Sequence, residues 1–292
     1  MTLAAVVQDN PAVLVGLVFV LGLVVGSFLN VVILRLPVMM ERAWQSEARQ
    51  LLDLPAEEQP EPPRFNLVVP RSACPACHHV IAWYENIPVL SWLALRGRCS
   101  QCGTPISRRY PLIELTAAAM GALAAASVTP GGYLVFVLFA SWSLLAMAVI
   151  DFDTTLLPDQ LTYPFLWAGL LAAWLGLGPV PLADAVLGAM AGYLVLWSLY
   201  WVFKLLTGKE GMGYGDFKLL AGLGAWVGWQ HLPVVLLLSS VAGSVLGIAL
   251  IQLGAVRRDQ GIPFGPWLAI AGWLTLLWGP QMVGAYLGLF SY

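Results

Sequence analysis

Apolar runs of about 20 residues recur along this chain of 292 residues, and they constrain its fold more than any other feature. Each run is long enough, as an α-helix, to cross ~30 Å of hydrocarbon. Only 10% of the residues are charged, whereas soluble chains average about 25%. The net charge of −2 offers no basic face for phosphates, which excludes a nucleic-acid partner. The sequence therefore predicts an integral membrane protein in a lipid bilayer.

Eight such runs predict an all-α fold with about eight transmembrane helices. They cover residues 11–36, 112–128, 132–150, 160–178, 183–206, 217–230, 232–254 and 264–288. We expect three parts: a first transmembrane helix within 1–36, a cytoplasmic segment over 37–111, and a seven-helix membrane domain over 112–292. The run 217–230 is short and rich in glycine, so a re-entrant loop is an alternative to a full span there.

The positions of the cations predict the orientation. All 14 Lys and Arg residues lie in or beside the segments that follow odd-numbered runs, including Arg257 and Arg258 after the seventh. Cytoplasmic loops retain Lys and Arg, so we expect this side to be cytoplasmic and both termini to be periplasmic. The first ten residues lack the basic region of a secretory signal, which favours a retained first helix.

The long polar stretch begins with two local patterns. Apolar residues at helical spacing over 40–52 predict a helix that lies on the membrane surface or packs on the following domain. The proline-rich, acidic run 55–63 predicts an extended linker.

All four cysteines fall in the same stretch, as two C-x-x-C pairs separated by 21 residues. They are Cys74, Cys77, Cys99 and Cys102. Two such pairs can hold Zn²⁺ tetrahedrally, and Gly103 suits the tight turn after the second pair. Two disulfides or a catalytic dithiol are the alternatives, and a cytoplasmic location disfavours disulfides. We predict a structural zinc site, with His78 and His79 exposed and not ligating.

Two acids lie at the ends of apolar runs, where a carboxylate is costly unless it has a function or a partner. Asp151 ends the third run and Asp216 begins the sixth, so two intervening spans return them to the same face. Paired carboxylates can share a proton, so that one activates water while the other protonates the scissile carbonyl. Gly213 and Gly215 leave room for a peptide backbone beside Asp216.

The sequence pattern alone allows other interpretations of these acids. Asp216 could cap its helix, as we expect of Asp159 and Asp184, and Asp153 could replace Asp151 in the pair. We expect Glu114 to pair with Arg108 or Arg109. A proton-coupled transporter would use intramembrane acids equally well, and a non-catalytic membrane scaffold with a zinc module is a further alternative.

Six motifs occur in one order over nearly the whole chain. They are GSFLNVVILRLP at 26–37, the paired C-x-x-C motifs, ENIP at 85–88 with LSW at 90–92, IDFDTTLLPD at 150–159, KEGMGYGD at 209–216, and PFGP at 263–266. Together they resemble the bacterial type IV prepilin peptidases, which are intramembrane aspartic proteases of the GxGD type.

The resemblance implies a bifunctional enzyme of the bacterial inner membrane, with its catalytic face in the cytoplasm. Such an enzyme cleaves the basic leader of type IV prepilins and of type II secretion pseudopilins. It then methylates the new N-terminal amine with S-adenosyl-L-methionine. The resemblance places the catalytic acids at Asp151 and Asp216, and suggests that Glu85, Gly97 and Arg98 contribute to the methyl-donor site. A G-x-G-x-x-G nucleotide loop after a strand is not found in the sequence.

Overall fold

The computed structural model describes residues 10–53, 64–253 and 263–288, and these residues form helices and loops without a β-strand. Two short 3₁₀ turns cover Trp83–Asn86 and Trp229–His231. The α-helices are α1 (Pro11–Leu51), α2 (Leu90–Ala94), α3 (Arg109–Ser127), α4 (Gly132–Thr154), α5 (Asp159–Trp174), α6 (Leu182–Thr207), α7 (Tyr214–Val227), α8 (Leu232–Gln252) and α9 (Gly265–Gly288).

Six of the described helices are long and apolar enough to cross a membrane, which confirms a multi-pass membrane protein. They are α1, α3, α4, α6, α8 and α9. The other two predicted spans form α5 and α7, with 16 and 14 residues, which corresponds to only ~24 Å and ~21 Å. Nearly all of α7 from Asp216 onward is buried by other helices, so its apolar character reflects protein neighbours as well as membrane. A count of eight spans stays a prediction.

Helix α1 is longer than expected. It continues beyond Leu36 to Leu51 and spans 41 residues, so the predicted surface helix is its C-terminal part. Pro37 lies inside α1, where its ring removes one backbone hydrogen bond without ending the helix. The predicted linker at 55–63 and the pair Arg257 and Arg258 lie outside the described residues.

The chain divides into two compact units, Met1–Leu123 and Ala124–Tyr292, called here the N-terminal and C-terminal units. In the N-terminal unit, α1 packs on α3 with backbone nearly against backbone. A Cβ atom added at Gly22 or Gly26 would lie 2.6 Å from the Cα atom of Ala118 or Glu114. Small residues permit such close helix contacts. The division falls inside α3, and the predicted domain borders stay predictions.

In the C-terminal unit, α7 is surrounded by α5, α6 and α9. Gly188 of α6 and Gly224 of α7 meet so closely that a Cβ atom on either would collide with the carbonyl of the other. The indole of Trp226 donates a hydrogen bond to the carbonyl of Phe165 at 2.9 Å and thereby ties α7 to α5. This packing fixes the first turn of α7, which carries Asp216.

Candidate functional sites

The four cysteine sulfur atoms lie within 4.8 Å of one another. Sγ of Cys74 is 3.7 Å from Sγ of Cys102, and Sγ of Cys77 is 3.9 Å from Sγ of Cys99. A zinc ion with Zn–S bonds of ~2.3 Å separates its sulfur ligands by ~3.8 Å, whereas a disulfide needs ~2.05 Å. The cysteines are therefore free thiols in an arrangement compatible with a tetrahedral zinc site.

Each C-x-x-C pair closes the same kind of turn. The carbonyl of Cys74 accepts a hydrogen bond from His78 N–H at 2.9 Å, and that of Cys99 accepts one from Gly103 N–H at 3.0 Å. The last residue of each turn is left-handed, with φ of +58° at His78 and +71° at Gly103. This confirms the turn expected at Gly103, and His78 is exposed as expected.

Thr104 supports the second cysteine turn. Sγ of Cys102 donates a hydrogen bond to the hydroxyl oxygen of Thr104 at 3.1 Å, and the backbone N–H of Cys99 donates to the carbonyl of Thr104 at 2.9 Å. These contacts hold Cys99 and Cys102 in the same turn.

Glu85 ties the 3₁₀ turn Trp83–Asn86 to the two cysteine turns. Its carboxylate accepts hydrogen bonds from the hydroxyl of Ser100 and from the backbone N–H of Ala82, the latter at 2.9 Å. It also lies 3.1 Å from Nε2 of His79. Together these contacts lower the pKa of Glu85 to about 2, with the largest contribution from Ser100 and the smallest from His79. Glu85 is therefore a fixed anion. The expectation that His79 is exposed is wrong, because this contact makes it half-buried.

A cavity of about 310 Å³ lies within the N-terminal unit, between α1, α3 and the cysteine turns. Its polar lining includes Asn30, Arg35, Glu85 and Glu114, and the indole of Trp92 forms part of its wall. The volume is typical of small-molecule sites, which place a few polar groups in an otherwise apolar pocket.

The three residues suggested for the methyl-donor site are placed differently by the structure. Glu85 lines the cavity, whereas Gly97 and Arg98 do not. Gly97 is buried under Trp92, because an added Cβ atom would lie 2.7 Å from the indole ring. Arg98 is exposed and bridges to Pro105 in the second cysteine turn.

Glu114 is a site residue that the sequence did not predict. Its side chain accepts a hydrogen bond from Val89 N–H at 2.7 Å and another from the hydroxyl of Ser27, whereas we expected partners at Arg108 or Arg109. Only 7% of Glu114 is exposed. The available signal was an acid five residues inside an apolar helix, where a carboxylate requires a role.

The C-terminal unit brings together the two predicted acids. Asp151 lies in the last turns of α4 and Asp216 in the first turn of α7, and they are 5% and 6% exposed. Their charges interact. Backbone N–H groups of Gly265 and Gly213 donate to Asp151 and Asp216 respectively. Oδ2 of Asp151 is buried and has no hydrogen-bond partner among the described residues.

Asp153 differs from Asp151 because its side chain is exposed. Asp216 also contributes to capping, since its carboxylate accepts from the N–H of Gly213, the residue that precedes α7. An acid at the third position of a helix commonly makes this contact. The capping interpretation and the acid pair are therefore compatible.

The caps predicted at two other acids are wrong. Pro158 and Pro181 occupy the capping positions of α5 and α6, and the acids lie inside the first turns. From there their side chains reach other elements. Asp159 binds Nζ of Lys218 at 2.6 and 2.9 Å, and Asp184 accepts a hydrogen bond from the indole of Trp229 at 3.1 Å.

The glycines around the acids have different roles. A Cβ atom at Gly215 would lie 2.7 Å from Cβ of Leu157, so this glycine allows close packing. At Gly213 the nearest atoms would be 4.0 Å away, one of them a carboxylate oxygen of Asp216. At Gly265 the added atom would lie 2.5 Å from Oδ2 of Asp151. Gly265 therefore has no room for a side chain beside Asp151, whereas Gly213 leaves space beside Asp216. The role of Gly265 was not directly predictable from the sequence.

Comparisons with known proteins agree with this arrangement. Residues 20–128 match the bacterial peptidase A24 N-terminal domain, and residues 138–248 match the type IV leader peptidase family. A protein of Aeromonas salmonicida strain A449 named prepilin leader peptidase/N-methyltransferase is 59% identical over 93% of each chain. Proteins with the same name from Stutzerimonas stutzeri and Pseudomonas aeruginosa are 54% and 52% identical over 98% of each chain.

No solved structure matches the chain. The family models together cover most of the sequence in the expected order. Its relatives are more than half identical to it over nearly their full length. The chain therefore belongs to the type IV leader peptidase family.

Proposed function

We propose that this protein is a bifunctional enzyme that removes the basic leader peptide of type IV prepilins and pseudopilins and then methylates the new N-terminal amine. The observation that carries the peptidase half is the buried pair of Asp151 and Asp216, whose carboxylates have the glycines Gly265 and Gly213 as neighbours. The relatives named prepilin leader peptidase/N-methyltransferase support both halves. They favour this function over a transporter or a scaffold.

The cleavage needs one carboxylate that is ionised and one that is protonated. The ionised one takes a proton from water, whose oxygen attacks the scissile carbonyl carbon while the other acid protonates the carbonyl oxygen. The C–N bond then breaks, and its nitrogen leaves as an amine after accepting a proton from the pair. The unpartnered Oδ2 of Asp151 is a suitable site for water or for the shared proton, and the amides of Gly213 and Gly265 orient the carboxylates.

The cysteine cluster fits a structural zinc ion held by Cys74, Cys77, Cys99 and Cys102. Among residues 64–108, all of which the structure describes, the only buried apolar side chain is that of Cys74. A segment with so little hydrophobic core depends on metal for its stability. The ion would therefore maintain the turns that border the cavity.

The cavity of the N-terminal unit fits S-adenosyl-L-methionine, which supplies an electrophilic methyl group when bound. Arg35 can bind its carboxylate, the anionic Glu85 matches its positive charge, and Trp92 offers a surface for its base. Gly97 acts on this cavity through its contact with Trp92, and Arg98 belongs to the adjacent cysteine turn.

We place the protein in the bacterial inner membrane, with the cysteine turns and both aspartates on the cytoplasmic side and both termini in the periplasm. Two observations support this orientation. The cysteines are free, as is expected in a reducing compartment. The end of α4 and the start of α7, which carry the acids, are separated by the two helices α5 and α6.

The test is cleavage of a synthetic prepilin by Asp151→Asn and Asp216→Asn variants, followed by mass spectrometry. An amide cannot exchange the proton, so each variant should lose cleavage by about 10³-fold or more. The exposed Asp153→Asn is the matched control and should cleave normally. Methylation of a peptide that already begins at the mature residue should persist in all three. Robust cleavage by Asp151→Asn would contradict the assignment.

A further inference from the structure

We propose that Glu114 binds the N-terminal ammonium of the cleaved substrate and takes the proton that this amine must lose before it is methylated. The inference rests on the proposed methyltransferase function and assigns a role within the same cavity. Glu114 lies in the wall of that cavity and is almost completely buried.

The two carboxylates of the cavity have different surroundings. Glu85 accepts hydrogen bonds from Ala82 and Ser100 and contacts His79, so its oxygens are engaged in holding the turns. The partners that the structure gives Glu114 are the amide of Val89 and the hydroxyl of Ser27, which are both neutral. A buried carboxylate whose partners are neutral is suited to a ligand that brings a positive charge.

The position of Glu114 favours a peptide amine as that ligand. The adjoining wall is formed by residues of α1 such as Ser27 and Asn30, and both α1 and α3 are long and apolar enough to cross a membrane. The N-terminus of an apolar, membrane-held substrate helix would therefore reach the cavity at this level. Gly26 of α1 packs against the backbone of Glu114. This contact fixes the position of the Glu114 carboxylate relative to α1.

The chemistry of methylation requires such a group. A protonated amine has no lone pair, so it cannot attack a methyl carbon. When the carboxylate of Glu114 takes one proton, the amine lone pair forms the new N–C bond. The electron pair of the breaking C–S bond goes to the sulfur of the methyl donor, which leaves as a thioether. A positioned base of this kind contributes about 10²–10⁴-fold to a rate.

A second ammonium group could reach the same carboxylate, since the methyl donor itself carries an amino acid. Arg35 also lines the cavity and can bind the carboxylate of that amino acid. The experiment must therefore separate an ammonium of the peptide from an ammonium of the donor.

The full-length protein in detergent is titrated, without methyl donor, with a synthetic mature peptide that has either a free or an acetylated N-terminus. The wild type should prefer the free amine by about tenfold, which corresponds to one charged contact. Glu114→Gln keeps an acceptor for Val89 N–H and should abolish this preference. It should also lower methylation of the mature peptide by at least about 100-fold, with zinc content and leader cleavage within twofold of the wild type.

Glu47→Gln is the matched control, because Glu47 is an exposed carboxylate of the same unit, and it should match the wild type in every assay. Glu114→Asp keeps the charge and should retain part of the amine preference. Binding of S-adenosylhomocysteine, the donor without its methyl group, is measured in parallel and should be unchanged in Glu114→Gln.

Three results would overturn the proposal. One is an unchanged amine preference in Glu114→Gln. Another is weakened binding of S-adenosylhomocysteine with the peptide preference intact, which would assign Glu114 to the donor. The third is loss of zinc or of leader cleavage in both Glu114 variants, which would make Glu114 a structural residue. A wild type that does not methylate would instead contradict the proposed function, and the binding assay would still report on Glu114.

Discussion

One acid in each unit, Glu85 in the N-terminal unit and Asp151 in the C-terminal unit, is held in the opposite way to the other. In the N-terminal unit, Glu85 has hydrogen-bond donors from two cysteine turns, and these keep its pKa at about 2. In the C-terminal unit, Asp151 has a buried oxygen without a hydrogen-bond partner among the described residues. A fully satisfied carboxylate stabilises a structure, whereas an unsatisfied one beside a second acid is available for proton transfer. The contrast distinguishes Glu85, which stabilises the cysteine turns, from Asp151, which is available for proton transfer.

The cysteine turns and the C-terminal unit also differ in what holds them together. The cysteine turns depend on four sulfur atoms around a common centre, with few buried apolar side chains nearby. The C-terminal unit depends on glycines such as Gly188 and Gly224 that bring helix backbones into contact. Removal of metal should therefore affect the cysteine turns, whereas addition of a methyl group at Gly224 should affect the C-terminal unit.

The largest effect should follow from loss of a cysteine. Cys74→Ser or Cys102→Ser should release zinc, because structural zinc contributes about 10–16 kcal/mol to the folding of small metal domains. Methylation should fall by at least about 100-fold, and leader cleavage should fall less. The measurement is zinc per chain by elemental analysis of protein purified without strong chelators.

Gln101→Ala is the control for this experiment, because Gln101 lies inside the second C-x-x-C pair and its side chain is exposed. It should retain zinc and both activities. Zinc near zero in an active wild-type preparation would contradict the metal site.

A smaller effect is expected from Gly224→Ala in the C-terminal unit. The added methyl group would meet backbone atoms of Gly188, which cannot move aside as a side chain can. Such overpacking typically costs about 1–3 kcal/mol, so the thermal unfolding temperature in detergent should fall. Gly16→Ala on α1 has no atom within 4 Å of its new Cβ and should leave the melting temperature unchanged. Equal melting temperatures for the two variants would argue against backbone contact as the stabilising feature.

Gly97→Ala should act on methylation through Trp92. Gly97 has φ of +66° and its Cβ would lie 2.7 Å from the Trp92 ring, so the variant combines backbone strain with displacement of the cavity wall. Methylation should fall about tenfold, equivalent to ~1.4 kcal/mol, while cleavage is spared. Gly176 has a similar φ of +62°, but an added Cβ there would have no atom within 4 Å, so Gly176→Ala tests the effect of backbone strain alone. A methylation defect of equal size in both variants would show that displacement of Trp92 does not cause it.

The smallest effect is expected from Asp159→Asn, which breaks the ion pair with Lys218 in the turn that carries Asp216. The two side chains are 47% and 28% exposed, and exposed pairs contribute only about 0–1 kcal/mol. Leader cleavage should fall two- to fivefold, and the exchanged pair Asp159→Lys with Lys218→Asp should recover part of it. Asp184→Asn also removes a first-turn acid and should cleave normally. A larger loss of cleavage in Asp184→Asn than in Asp159→Asn would contradict the idea that the Asp159–Lys218 ion pair helps to position Asp216.

Much of this arrangement could be predicted from local sequence. The apolar runs marked the helices, because hydrophobic length is a local property. The spacing of the cysteines predicted their clustering, and counting spans brought Asp151 and Asp216 to one end. The hydrophobic pattern could not show that α7 is buried among helices, because a protein interior and a bilayer select the same side chains.

The partners of buried polar groups were not predictable. Glu114 has two arginines nearby in sequence, yet its observed partners are the amide of Val89 and the hydroxyl of Ser27. Asp159 looks like a helix cap, yet it binds Lys218, 59 residues away. Such pairings depend on how the helices pack, and a single sequence does not encode that in any local pattern.

The close contact of α1 with α3 also limits how the N-terminal unit can move. Gly22 and Gly26 meet the backbone of α3 directly, so at these two points no side chain lies between the helices that could change rotamer and absorb a displacement. The two helices should consequently move as one body on the microsecond to millisecond timescale of collective motions. Any opening that admits a substrate must then occur in the loops and turns around the cavity. Spin labels on α1 and α3 should report a constant distance while labels on the cysteine turns report a variable one.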